Sequence, residues 1–307
     1  MSVKPLQPPA LKKNNLIAMV GPSGFIDAKK TTDCVQTLQR WGYQVMVDPN
    51  TVGLYKGNYF AGSDKERIQA LQQALDNPEV KAIICARGGY GMSRIIDQLD
   101  FKKFKKHPKW IIGFSDITLL HLHLNRRVKV ASLHAPMAAA FMATEDTSYL
   151  PFIQKALKGG VSQYKFPAHP DNHTGHVTGE LIGGNLCLLA HAIGTSSEPD
   201  VKGKILFIED VGEHFYTIDR FLWQLKRAGW MNKIAGLLVG DFSTTKDTTL
   251  PFGKSIEEIV KDVIPSDLPV AFNIPIGHQP QNITLKCGVL YTLKIGEKSV
   301  TLKEQKS

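Results

Sequence analysis

VKAIICARGGYG, residues 80–91, and WIIGFSDITLL, residues 110–120, decide how this chain folds. Each starts as a short, nearly continuous apolar run, the pattern of a strand buried on both faces, and each breaks off into small and polar residues that lead into a helix. Val80 to Cys85 ends at Arg87-Gly88-Gly89-Tyr90-Gly91, with a helix following from Ser93. Trp110 to Gly113 runs into Ser115 and the apolar helix Ile117 to Leu124, after which Val128 to Leu133 reads as a further strand. Upstream the same unit recurs. Leu16 to Val20 meets the tight turn Gly21-Pro22-Ser23-Gly24, a helix spans Thr32 to Trp41, Gly42 stops it, and Tyr43 to Val47 alternates as a strand. Ser63 to Leu75 is an amphipathic helix whose Ser63 and Glu66 are spaced as a capping box. Alternating strands and helices predict a parallel sheet covered on both faces, with ligands bound at the carboxyl ends of its strands. Both quoted stretches place their polar residues there.

From about Pro151 to His176 the chain becomes polar and rich in Pro and His, which marks a junction. Beyond it, short strands at Lys204 to Ile208, Gly236 to Val239, Val270 to Asn273 and Val289 to Ile295 surround one helix from about Thr217 to Ala228. The expected organisation is a first α/β domain at 1–155, a linker at 156–177 and a smaller β-rich α/β domain at 178–307, with no internal repeat or low-complexity segment.

At 307 residues and 43% hydrophobic content, the chain can bury a substantial core. Neither a leader-like apolar core near the start nor eighteen uninterrupted apolar residues occur, which predicts a soluble, unexported protein with no membrane partner. Cys34, Cys85, Cys187 and Cys287 lie far apart and read as reduced, mostly buried thiols. The net charge of +9 raises nucleic acid as a partner. The densest basic stretch, FKKFKKHPK at 101–109, has two Phe at helical spacing, however, and reads as an inward apolar pair with its lysines on a solvated surface, so no nucleic-acid partner is expected. A basic surface also suits acidic substrates.

Four places can carry chemistry. Gly113-Phe114-Ser115-Asp116 sits at a strand-to-helix turn, where a sharp bend exposes a hydroxyl near free helix N–H groups. Ile117 stands where a G-x-S-x-G elbow has its second glycine, and Ser115 alone could equally cap the helix. The three glycines of RGGYG allow backbone amides to approach an anion, without the remaining residues of a P-loop or dinucleotide fingerprint. Cys85, at the end of the preceding strand, reads as a core residue rather than a nucleophile. Ile205 to Ile208 ends in Glu209 and Asp210, with Glu213 and His214 close behind, and a carboxylate there can orient a base or be an ordinary loop acid. His278 stands between turn residues in PIGHQP, where an imidazole can shuttle protons. His169, His173 and His176, and the pair His121 and His123, lack the cysteine pairs or HExxH of a metal site, and no metal is expected.

These places, in this order, resemble the LD-carboxypeptidase family. The resemblance runs through VGPSG at 20–24, FAGSDKERIQAL at 60–71, ARGGYGMSRII at 86–96, IIGFSDIT at 111–118, HAPM at 134–137, GELIGGNL at 179–186, FIEDVGEHFYTIDR at 207–220 and PIGHQPQN at 275–282. It implies a flavodoxin-like or amidotransferase-like first domain, with Ser115 as nucleophile, His278 as general base and Glu209 as the carboxylate that orients it. It further implies an oxyanion hole from backbone N–H groups of Asp116 and of Gly88 or Gly89, a site in the cleft between domains, no cofactor, a cytoplasmic setting and a homodimer. The implied substrate is a murein tetrapeptide, cut between diaminopimelate and a terminal D-alanine during peptidoglycan recycling. Arg87 and Asn185 are the candidates to hold its carboxylate. Two other readings stand beside this one: an immunity-type peptidase acting on peptidyl or aminoacyl nucleotides, for which Ile182 to Asn185 offers no aromatic platform, and a non-enzymatic anion- or sugar-binding module.

Overall fold

The structure is a computed structural model that describes residues 5–142 and 146–306; the first four residues of the segment read for a leader lie outside it. Strands β1 (Leu16–Val20), β2 (Gln44–Val47), β3 (Val80–Cys85), β4 (Trp110–Gly113) and β5 (Ser132–His134) pair in parallel in the order 2-1-3-4-5 counted from one edge. That is the flavodoxin-like order, in which the winding of the chain across the sheet reverses between β1 and β3 and opens a crevice at the carboxyl ends. Alternate residues of the central strands feed two cores, Ala18, Ile83 and Ile111 on one face and Ile17, Ile84 and Ile112 on the other. Each fully buried isoleucine side chain among them is worth about 1.5–3 kcal/mol.

Helices α1 (Lys29–Arg40), α2 (Asp64–Asp76), α3 (Met92–Ile95), α4 (Lys102–Lys106) and α5 (Thr118–His123) connect these strands. The capping box at the start of α2 forms as expected: Glu66 N–H donates to Ser63 Oγ at 3.3 Å, and Ser63 N–H to Glu66 Oε2 at 2.8 Å. In the basic stretch, Phe101 and Phe104 are buried and the lysines of α4 are exposed, but Lys109 departs from the expectation. It is fully buried and donates to the carbonyls of Ala74, Leu75 and Asn77 at 3.1, 2.9 and 2.6 Å. An ammonium there satisfies carbonyls that the end of α2 leaves without helical partners. Burial brings its pKa down to about 8.

The second sheet has seven strands in the order β10-β9-β8-β7-β12-β13-β6. Its parallel half, β7 (Gly175–Asn185), β8 (Ile205–Val211), β9 (Gly236–Ser243) and β10 (Val270–Ala271), continues through β12 (Leu290–Ile295), β13 (Ser299–Glu304) and β6 (Gln163–Pro167) as an antiparallel meander. Helix α6 (Leu150–Leu157) falls at the start of the junction, and among the described residues three helices lie beyond it, α7 (Leu186–Ala192), α8 (Phe215–Arg227) and α9 (Ile256–Val263), where one was expected. The stretch expected as a linker, 156–177, holds β6 and the start of β7. Its polar residues alternate along strands that gain their partners from β13 and β12.

One strand crosses between the sheets. β11 (Leu285–Cys287) follows the second sheet in sequence but adds antiparallel to β5, with Leu285 opposite His134. Lys286 on β11 is buried and bonds both oxygens of Glu304 on β13, at 2.8 and 2.9 Å. The segment between β10 and β11, which carries His278, is thus held at one end by each sheet. Among the described residues no helix is long and apolar enough to cross a membrane.

Candidate active site

β4 ends at Gly113, Phe114 stays extended, and Ser115 takes φ +61°, the left-handed region, to open a one-turn 3₁₀ helix at Ser115–Ile117 that leads into α5. A serine held there costs of order 1–3 kcal/mol, the kind of local strain that sharp turns at functional sites retain. The cap positions of the 3₁₀ turn and of α5 fall to Phe114 and Ile117, so Ser115 stands inside the turn rather than at its cap position. The RGGYG loop lies directly against it. A methyl group on Gly88 would stand 3.0 Å from Ser115 Cβ and 3.2 Å from its Oγ, so any side chain there would push the two loops apart by a few tenths of an ångström.

Asp116, 1% exposed, ties three strand ends together. Its Oδ2 accepts from Ser23 Oγ at 2.6 Å and from Met92 N–H at 2.8 Å, joining the turns that follow β1, β3 and β4. Burial raises its pKa against the opposing effect of these bonds. Its side chain is therefore a structural knot, apart from any part its backbone N–H takes.

Glu209 lies near the end of β8 and is fully buried. Its Oε2 accepts from His278 Nδ1 at 2.8 Å. Because a carboxylate only accepts, Nδ1 carries the proton, and Nε2 of the neutral ring is left as a free base. Burial lowers the pKa of His278, but the hydrogen bond and charge of Glu209, with Asp210 and Asp241 behind it, outweigh that and set it above the ordinary 6.5. Next to it, burial pushes Asp210 up to about 6. Gly277 makes this possible: its φ is +132°, and a Cβ there would sit 3.1 Å from those of both Glu209 and Asp241. Asn282 Oδ1 accepts from Gly277 N–H at 3.2 Å and closes the loop.

The two halves meet at aromatic rings. Phe114, the neighbour of Ser115, packs on His278 with ring centroids 4.8 Å apart. Both line a cleft of about 400 Å³ together with Arg87, Met137, Met142 and Asn282. Arg87 is exposed, and its Nη1 donates to the carbonyl of Phe25. Asn185, the other candidate for holding a substrate carboxylate, is placed differently. It is buried, caps α7 by accepting from Leu188 N–H at 3.3 Å, and donates to Asp210 at 2.8 Å. Its side chain is committed to the scaffold and lines no part of that cleft.

Elsewhere, Cys85 is fully buried and its thiol pushed up by burial, while Cys187 is only half-buried. His214 stacks on Tyr216 at 5.1 Å, and Glu213 pairs through its backbone with Lys246. Among the described residues no three His, Cys, Asp or Glu side chains are grouped to hold a metal. Sequence reasoning missed Asn282 and Phe114, which lay inside the quoted motifs but signalled nothing on their own.

Residues 17–135 match the model of the LD-carboxypeptidase N-terminal domain, and residues 178–293 that of the LD-carboxypeptidase C-terminal domain. The chain belongs to the LD-carboxypeptidase family. A probable murein peptide carboxypeptidase of Bacillus subtilis is 33% identical to it over 303 residues, covering 96% of this chain and 94% of the relative. The crystal structure of a muramoyltetrapeptide carboxypeptidase from Oxalobacter formigenes superposes with a TM-score of 0.86 at 29% identity, covering 95% of this chain and 99% of that one. The microcin C7 self-immunity protein MccF of Escherichia coli is 25% identical over 307 aligned residues, covering 88% of this chain and 87% of its own. The two sheets, the first mostly parallel, match the family's two-domain fold.

Proposed function

We propose that this member of the LD-carboxypeptidase family is a serine peptidase that removes terminal D-alanine from murein tetrapeptides by cutting the L,D bond after diaminopimelate, in cytoplasmic peptidoglycan recycling. The observation that carries the reading is the buried Glu209 bonded at 2.8 Å to His278, whose ring opens on a cleft beside the strained Ser115 turn and a cationic Arg87. In this mechanism His278 Nε2 takes the proton of Ser115 as its oxygen attacks the scissile carbonyl, and then passes that proton to the departing amine. Glu209 stabilises the imidazolium formed between the two steps. Backbone N–H groups of Asp116 and of Gly88 or Gly89 would hold the oxyanion, each typically worth about 3 kcal/mol. Arg87 would hold the carboxylate of the leaving residue. The family resemblance carries with it a homodimer and a division into a nucleophile-bearing unit at 1–155 and a Glu- and His-bearing unit at 178–307.

Product analysis on a panel tests this. Disaccharide tetrapeptide should release free D-alanine, while aminoacyl nucleotides should remain intact. Cleavage of the nucleotides with no D-alanine released would replace this reading with the immunity-type one.

A further inference from the structure

The cleft beside His278 does not end at Arg87. A second cavity of about 260 Å³, lined by Phe25, Ile26 and Asp27, shares Arg87, Lys30 and Ala139 with it, so the two lie side by side and together make the space around these residues. Lys30 stands on the first turn of α1 and is exposed. Among the described residues that line this space, Lys30 and Arg87 are the only permanently cationic ones. The acid present, Asp27, accepts from Lys29 N–H at 2.8 Å at the start of α1. No ion pair to a carboxylate is found for Lys30 or for Arg87 among the described residues, and Arg87 is steadied by the carbonyl of Phe25 instead. Two positive charges thus line this space against the single carboxylate of Asp27, with which neither forms an ion pair among the described residues. Around them the walls are apolar: Pro136, Met137, Ala139, Ala140 and Met142. That combination suits a free carboxylate next to a short apolar side chain.

We infer that Lys30 is a specificity-determining residue, which together with Arg87 reads the free carboxylate of the residue being released and so confines the enzyme to chain ends. The inference rests on the peptidase reading above and deepens it. Arg87 belongs to the loop that packs on Ser115, so replacing it disturbs the nucleophile as well. Lys30 lies on a separate helix. A carboxylate in this cleft is repelled by Glu209 and Asp210, and a second cation offsets that repulsion where one guanidinium must also serve its own loop. A chain that continues past the scissile bond, or ends in an amide, offers Lys30 no charge to pair with.

The test compares kcat/KM for a tetrapeptide ending in D-alanine with that for the same peptide ending in D-alaninamide. The intact enzyme should prefer the free acid by a hundredfold or more. Lys30→Met should shrink that preference at least tenfold, mainly through KM for the free acid, and Lys30→Arg should restore most of it. An unchanged preference in Lys30→Met would overturn the inference while leaving the peptidase reading standing. If the intact enzyme cleaves neither peptide, the peptidase reading itself fails and takes this inference with it.

Discussion

A serine hydroxyl loses its proton far above neutral pH, so Ser115 can attack a peptide carbonyl only if a base removes that proton during the reaction. His278 can do so only in its neutral form. Its pKa lies above the ordinary 6.5 because of Glu209, so the rising limb of activity should fall above pH 6.5 rather than below it. The same shift has the opposite sign for stability. A histidine with a raised folded pKa stabilises the fold fully below its unfolded pKa, and that contribution is lost as pH climbs through the folded value. Activity is therefore gained where this part of the stability is given up. Glu209→Gln removes the charge that holds the ring in the right tautomer, and kcat should fall by about a hundredfold or more. Glu213, whose contact with the neighbouring loop is made through its backbone, should tolerate the same change to Gln with less than about a tenfold loss. A steady-state pH series on the wild type and the two variants checks both points, and a flat profile from pH 5 to 8 or the reverse ranking of the acids would refute them.

Among the elements, those buried on both faces were legible in the sequence, because nearly continuous apolar runs such as VKAIIC at 80–85 and WIIG at 110–113 have few other uses in a chain of this kind. The turns that follow them were legible for the same reason: glycines and a serine have to stand where backbone approaches backbone. β7 was hidden. It reads GHVTGELIGGN, with four glycines in eleven residues, and it exists because β8 and β12 supply its hydrogen bonds from either side. β11 is three residues long and pairs with β5 about 150 positions away, a register no local pattern can announce. The His278 loop lies between these extremes. Its motif was visible, whereas the reason for its glycine was not. Gly277→Ala should lower kcat sharply, because the added methyl drives Glu209 and Asp241 away from the imidazole, and it should cost about 1–3 kcal/mol in thermal stability from backbone strain. Calorimetry together with D-alanine release measures both, and full activity in Gly277→Ala would show that the loop is not held as described.

For the whole molecule, the Ser115 turn comes from the first sheet, while Glu209 and His278 come from the strand ends and connections of the second. What brings them together is visible in the packing. Gly184 fits against Thr118, whose Oγ1 accepts from Asn185 N–H at 3.0 Å, and β11 carries the far end of the His278 segment into the first sheet. Lys286 and Glu304 then lock that crossing strand to β13. Such an arrangement makes the site a product of both sheets, and groups acting as one device should fail together rather than in proportion. The most direct measurement is a double-mutant cycle on D-alanine release from tetrapeptide with Ser115→Ala, His278→Ala and the pair combined. Each single change should reduce kcat by orders of magnitude, with the double variant no slower than the slower single one. A Ser115→Ala enzyme as fast as wild type, or losses that simply multiply, would contradict a shared serine and histidine mechanism.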